Sequence, residues 1–436
     1  MSVVNRVMGL GLRAINRVAG APLLDRLRLR RPAEQALYHG ARIGFRSAAA
    51  AARGFKATQK LVQPARPARA GGEGLFDLMP SDEQQMLQDA ARRFAADELR
   101  PAAAAADAAC AAEPALLAGA AELGLGVMNI PEALGGAGNE RSAVTNTLVA
   151  EALAHGDMGL ALACLAPSAV SNALVLWGDE SQQAQYLPAF VAEHAPVAAL
   201  AVHEPQALFD PFALRTTASR IDGGYVLSGV KSLVPRARAA ELFVVAAQLD
   251  GRPALFIVES SNAGLGIEAE PAMGLRAAET ARLHLTNVKL PASARLGADE
   301  TAYRDCIALA RIAWSALAVG TAQAALDYLI PYVNERIAFG EPISHRQAVA
   351  FAIADISIEL EGLRLTTWRA ASRADRGTSF AREAALARRL AADKGARIGS
   401  EAVQLLGGHG FVKEHPVERW YRDLRAAGFV EGVVLV

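Results

Sequence analysis

The sequence predicts a mainly α-helical protein with a β domain set in its middle. Three observations point there. Apolar residues make up 52% of the 436-residue chain, and alanine is abundant, so helix formers are plentiful and a large core can be buried. Apolar residues recur at three- and four-residue spacing through residues 80–195 and again through 303–404. Between those stretches lie short apolar runs bounded by turn residues, which is the pattern of strands. The organisation that follows is 1–75 as a basic extension and linker, 76–195 helical, 196–300 β, and 301–436 a helical bundle.

The extension is distinct in charge. Residues 1–70 hold 14 Lys and Arg against two acids, Asp25 and Glu34, while the rest of the chain holds 31 basic and 43 acidic residues. Val4, Met8, Leu12, Ile15 and Val18 fall on one helical face, with Arg6, Arg13 and Arg17 on others. Pro64, Pro67, Gly71 and Gly72 then mark a linker. A basic amphipathic head on an acidic body reads as an interaction arm or a peripheral contact with an anionic membrane surface, and an Arg-rich organellar address is the third reading. Nucleic-acid binding is not expected, since nothing beyond the charge points to it.

The next helices start at Ser81, a predicted N-cap with Gln84 three residues on, as in a capping box. Helical signal breaks at Pro131 and at Gly135-Gly136. Residues 158–178 carry no charge, against the roughly 20 residues a membrane span needs. Pro167, Ser168, Ser171 and Asn172 sit in the middle, so two buried core helices are expected there instead. Cys110, Cys164 and Cys306 lie far apart with no CxxC, which fits a reducing, cytoplasmic compartment, peripheral at the inner face of the membrane if the arm binds there.

In the β stretch, Asp222-Gly223-Gly224 turns into Tyr225–Ser228. Leu242–Ala246 and Ala254–Val258 are two further strands. From about 303 to 404 long helices return, with one break at Phe339–Ser344.

Several chemistries are excluded. No P-loop, HExxH, zinc-ligand spacing or G-x-S-x-G is present, and no metal site is expected. Gly407-Gly408-His409-Gly410 follows a helix rather than a strand, so it fails the context of a dinucleotide fingerprint. Alone, it reads as a helix-ending turn.

Taken together, several weak motifs are in the right order for one family. Gln404 to Phe411 (QLLGGHGF), Pro416-Val417-Glu418-Arg419, Arg422-Asp423 and Glu431-Gly432 resemble the C-terminal signature of acyl-CoA dehydrogenases. Arg336-Ile337-Ala338-Phe339-Gly340 with Gln347 resembles the family's RxxFG…Q element. Glu122-Leu123-Gly124-Leu125, Pro131-Glu132 and Gly135-Gly136-Ala137-Gly138 resemble its N-terminal domain. Gly274-Leu275-Arg276, Asn287-Val288 and Leu296-Gly297 resemble the end of its β domain. The resemblance covers about residues 76–436.

It implies a helical N-terminal domain, a barrel-like β domain and a C-terminal four-helix bundle. It also implies FAD-dependent α,β-dehydrogenation of an acyl-CoA thioester, in fatty-acid or related acyl-CoA oxidation. Such chemistry needs a base for the α-proton and hydrogen bonds that polarise the thioester; a flavin takes the hydride. Glu431 matches the base, whose backbone N–H also helps hold the thioester oxygen. Family members with the base elsewhere carry it just before the arginine matching Arg311, a position that is Ala310 here. Arg311 and Gly432 fall on the substrate side. Arg336, Phe339, Gln347, Gln404, Gly407 and Gly408 match positions that bind FAD, partly from a neighbouring subunit. An arginine suits pyrophosphate, and glycines permit close backbone approach. The resemblance further implies a homodimer or homotetramer and electron-transfer flavoprotein as the electron acceptor.

The flavin-ring half departs from the pattern. The usual T-E-P-x-x-G-S-D stands as His203-Glu204-Pro205-Gln206-Ala207-Leu208-Phe209-Asp210, and K-x-W-I-T-N as Lys231 to Arg236 (KSLVPR). Pro235 replaces a hydroxyl residue, and Val433 stands at the threonine of EGT. His203 and Val433 are therefore the candidate residues at the ring. The chain also ends at Val436, before the helix that follows EGT in the family. A second reading stays open: a non-catalytic subunit or pseudoenzyme that holds FAD weakly and pairs with a paralogous active chain.

Overall fold

A computed structural model describes residues 79–136, 141–192 and 194–436. The arm, with the helix expected over Val4–Val18, lies outside the described residues, as do Ala137 and Gly138.

Helix α1 (Asp82–Phe94) starts where its cap chemistry dictates. The Ser81 hydroxyl accepts from the Gln84 N–H at 3.2 Å, and Gln84 Oε1 accepts from the Ser81 N–H at 3.0 Å. The expected capping box is present. A π-helical turn (Ala95–Leu99) leads into α2 (Arg100–Ala109), followed by α3 (Pro114–Glu122). Helices α4 (Ala143–Gly156), α5 (Met158–Trp177) and α6 (Glu180–Val191) take side-chain caps from Ser142, Asp157 and Asp179.

Helix α5 corrects one expectation. It is a single helix of 20 residues with Pro167 inside it, not two. An interior proline costs roughly 3 kcal/mol, but 15 of its residues are buried. The Ser168 hydroxyl also donates to the Leu125 carbonyl at 2.9 Å. Packing therefore overrides the local break. The helix is long and apolar enough to cross a membrane, yet it is mostly buried in the protein's own core.

Eight strands follow: β1 (Ala198–Ala201), β2 (Thr217–Ile221), β3 (Gly224–Val234), β4 (Leu242–Leu249), β5 (Arg252–Glu259), β6 (Leu265–Ala269), β7 (Ala281–Pro291) and β8 (Arg295–Leu296). They form one mixed sheet in the order β6-β7-β3-β2-β4-β5-β8, with β1 parallel to β4. Alternation along β4 splits it between two cores. Phe243, Val245 and Ala247 fill the interior of the β domain, while Leu242, Val244 and Ala246 pack into the core shared with the helices.

Helix α7 (Glu300–Glu335) runs for 36 residues through that shared core. A hairpin, β9 (Ile337–Ala338) with β10 (Glu341–Pro342), turns at Phe339 and Gly340, and α8 (Gln347–Asp375) follows. The break between α7 and α8 thus extends beyond the expected Phe339–Ser344. A second, unexpected break lies at residues 376–380, where Gly377 takes φ 62°. Helices α9 (Ala381–Leu390) and α10 (Ala396–Leu406) are joined by a π-helical turn, and α11 (Val417–Leu424) and α12 (Ala426–Phe429) lead to the last segment.

Ion pairs tie α11 to the cap of α5 and to α2. Arg419 Nε meets Asp157 Oδ2 at 2.9 Å, and Arg422 clasps both oxygens of Asp107 at 2.9 and 3.0 Å. Asp423 accepts the Leu275 N–H at 2.6 Å. Burial and the neighbouring Asp157 charge push its carboxyl up to about 8.

Candidate active site

After α12 the chain runs buried through residues 430–436. Gly432 and Val433 turn it with consecutive positive φ values of 70° and 65°. Gly432 is required there: an added Cβ would lie 2.4 Å from the Val202 Cβ at the end of β1. A β-branched valine in the left-handed region is strained by about 1–3 kcal/mol. The turn is held from α7, where Trp314 Nε1 donates to the Gly432 carbonyl at 2.8 Å.

This turn presents Glu431. Arg311, on α7 one turn before Trp314, meets its carboxylate by two routes: Nη2 lies 2.9 Å from Oε1, and Nε lies 3.2 and 3.1 Å from Oε1 and Oε2. Arg388 of α9 approaches from another side. Its Nη2 donates to the Val430 carbonyl at 2.6 Å, and its Nε is 4.0 Å from Glu431 Oε1. Its Nη1 is buried with no hydrogen-bond partner among the described residues. Burial pulls the Arg388 pKa down to about 10 against the opposing pull of Glu431.

His203, just beyond β1, completes the group. It is 1% exposed, and its Nδ1 accepts the backbone N–H of Glu431 at 3.4 Å. Its ring meets Phe209 and Phe429 edge-on at 4.9 Å. Burial pushes its pKa down to about 4, so the imidazole is neutral at pH 7, with its proton on Nε2 if Nδ1 accepts. The next residue, Glu204, is buried against the fully buried Lys231 at 2.8 Å and accepts the Arg215 and Thr216 N–H groups. Burial raises the Glu204 pKa, but Lys231 and these donors outweigh it and the net shift is downward. This buried pair fixes β1 to β3 directly behind His203.

Of the candidate residues, the structure brings Glu431, Arg311, Gly432, Val433 and His203 together. Arg336, Phe339, Gln347, Gln404, Gly407 and Gly408 lie on the surface around the C-terminal end of α7. Tyr332 ties that area together, reaching the Leu406 carbonyl at 3.5 Å and His409 Nδ1 at 3.0 Å. A Cβ added at Gly407 or Gly408 would meet nothing within 4 Å, so this backbone is open to a ligand. Trp314 and Arg388 escaped the sequence reading. Arg388 had a signal, since it shares the buried helical face of Ala384, Ala387 and Ala391.

Three family models match the chain in succession: acyl-CoA dehydrogenase N-terminal domain at 81–194, middle domain at 199–288 and C-terminal domain at 301–434. The chain belongs to the acyl-CoA dehydrogenase family. It is 33% identical over 362 residues to the mitochondrial short/branched chain specific acyl-CoA dehydrogenase of Rattus norvegicus, spanning 81% of this chain and 83% of that one. The structure of butyryl-CoA dehydrogenase from Megasphaera elsdenii superposes with a TM-score of 0.75 at 29% identity, over 82% of this chain and 96% of that one. An FAD complex of PigA superposes with a TM-score of 0.75 at 26% identity, over the same shares.

For an acyl-CoA dehydrogenase, the surface set fits a dinucleotide. It offers an exposed guanidinium at Arg336, amides at Gln347 and Gln404, and bare backbone at Gly407 and Gly408. The ring half is built differently. Pro235 is buried and has no N–H, and Val433 has no hydroxyl. Polar atoms there include His203 Nε2 and two buried atoms with no partner among the described residues, Gln206 Oε1 in the loop after His203 and Arg388 Nη1 beside Glu431.

Proposed function

We propose that this chain dehydrogenates an acyl-CoA thioester between Cα and Cβ, with Glu431 as the base. The observation that carries this reading is a buried carboxylate held by Arg311 on a strained turn, whose own backbone N–H donates only a long bond to the buried His203. Glu431 takes the α-proton, and the electron pair of that C–H bond forms the new C=C. FAD, when bound, accepts the hydride that leaves Cβ. Arg311 aims the carboxylate and stabilises it between turnovers. Protonation of Glu431 weakens that ion pair, which favours return of the proton to solvent after product leaves. The Glu431 N–H is held only at 3.4 Å by His203, so a thioester oxygen can displace the imidazole and take a shorter, stronger bond. Arg336, Phe339, Gln347, Gln404, Gly407 and Gly408 would hold the nucleotide half of FAD, with His203 and Val433 at the ring. Electron-transfer flavoprotein as acceptor and a homo-oligomer complete this reading, and the acyl chain is a fatty or related acyl group.

A second reading, a non-catalytic subunit, draws support from Phe209, Pro235 and Val433, which remove polar contacts from the ring half. Incubating the purified protein with FAD, an electron acceptor and butyryl-CoA or octanoyl-CoA, followed by mass spectrometry of the CoA ester, separates the two. Loss of two hydrogens supports the dehydrogenase. A protein that takes up no FAD and returns the ester unchanged is the non-catalytic subunit.

A further inference from the structure

A cavity lies away from Glu431, between α3, α5 and the start of the β domain. Its volume is about 410 Å³, within the size range of small-molecule sites. Its walls mix an apolar side, from Leu117 of α3, Leu125, Val127 and Phe190, with a polar one that holds Arg236 and Glu279. The Ser168 hydroxyl on this wall is already committed to the Leu125 carbonyl, and Cys164 is a buried thiol whose pKa burial pushes up to about 12, so it is neutral.

One cation faces this space. Arg236 lines the cavity, and its side chain makes no hydrogen bond or ion pair with any described residue. Its backbone is fixed: the N–H donates to the Ala278 carbonyl at 3.0 Å, and φ is 50°, a left-handed value that arginine adopts at a cost. Half-burial lowers its pKa. Glu279 also lines the cavity but sits too far away to form an ion pair, and His194 at the rim is exposed. A guanidinium that gives up water and keeps only the distant attraction of Glu279, with no hydrogen bond to a described residue, is incompletely compensated, and an anion in direct contact would recover the rest.

We propose that this cavity binds a short-chain aliphatic carboxylate, its carboxylate on Arg236 and its chain along Leu117, Leu125 and Phe190. The apolar walls select against a bare inorganic anion, and the guanidinium selects against a neutral chain. The site is separate from Glu431 and stands whether or not the chain is a dehydrogenase.

The test is calorimetric titration of the full-length protein with hexanoate, with hexanol as the neutral control and sulfate as the bare-anion control. Wild type should bind hexanoate, and bind hexanol and sulfate far more weakly. Arg236→Gln should weaken hexanoate by roughly tenfold or more, with its thermal unfolding midpoint unchanged, and Arg236→Lys should keep part of the affinity. Because the three ligands are compared on wild type, the result does not depend on the variants folding. Undetectable hexanoate binding, equal binding of hexanol or sulfate, or unchanged affinity in a folded Arg236→Gln would each overturn the proposal.

Discussion

Arg311 and Glu431 are 120 residues apart in sequence, yet the guanidinium of one closes on the carboxylate of the other at 2.9 Å inside the helical core. The pair is mostly shielded, with side-chain exposures of 23% and 11%. Removing one partner leaves the other charge buried. Arg311→Leu is therefore expected to destabilise the fold by about 3 kcal/mol and to impair turnover. Chemical denaturation checks the first, and the double variant Arg311→Leu/Glu431→Gln should recover part of the lost stability because no unpaired carboxylate remains.

His203 gives a pH signature. Its pKa is about 4 in the folded protein against 6.5 for an ordinary imidazole. Between those values the unfolded chain binds the extra proton. The contribution to stability is full above pH 6.5 and is lost as pH falls toward 4, at up to about 1.4 kcal/mol per pH unit. Asp423, raised to about 8 from 3.8, works in the opposite sense and loses its contribution as pH rises through that window. Comparing wild type with His203→Gln across pH 4 to 7 cancels the shared Asp423 effect. The stability of wild type relative to the variant should fall with falling pH, because wild type loses more; parallel curves would count against a buried neutral imidazole.

Lys231 is fully buried, and among the described residues Glu204 and the Val202 carbonyl pair with it. Lys231→Met should cost about 3–5 kcal/mol by stranding Glu204. Lys231→Met/Glu204→Gln should cost distinctly less, as read from urea midpoints.

Gly432→Ala places a methyl 2.4 Å from Val202 at φ 70°. Either β1 or the turn must move, at a cost of roughly 1–3 kcal/mol. Because Glu431 is the adjacent residue, kcat should fall more than stability does; loss of stability with unchanged kcat would mean that the turn does not set the carboxylate's position.

Much of this architecture was legible where the signal is local. Ser81 and Gln84 announced their capping box because its bonds span three residues. The C-terminal motif pointed to Glu431 and Gly432, and the alternative base position at Ala310 pointed to Arg311; the fold then brings them together with His203. Pro167 misled because local propensity registers a missing N–H but not the burial of 15 residues of the same helix. The break at 376–380 was hidden by helix-favouring neighbours. Arg388 lay outside every motif, and what makes it part of the site is its approach to Val430 and Glu431 across the bundle, a tertiary fact. Arg236 could be read as a substitution in a motif, but its lack of a partner is visible only in three dimensions.

The most direct test of Glu431 as the base is anaerobic mixing of FAD-loaded protein with octanoyl-CoA, following flavin absorbance for wild type and Glu431→Gln. Wild type should bleach rapidly, and Glu431→Gln, with the same FAD content and the same affinity for the ester, should bleach at least about a thousandfold more slowly. Bleaching at the same rate in both proteins would contradict the assignment and move the base to another residue.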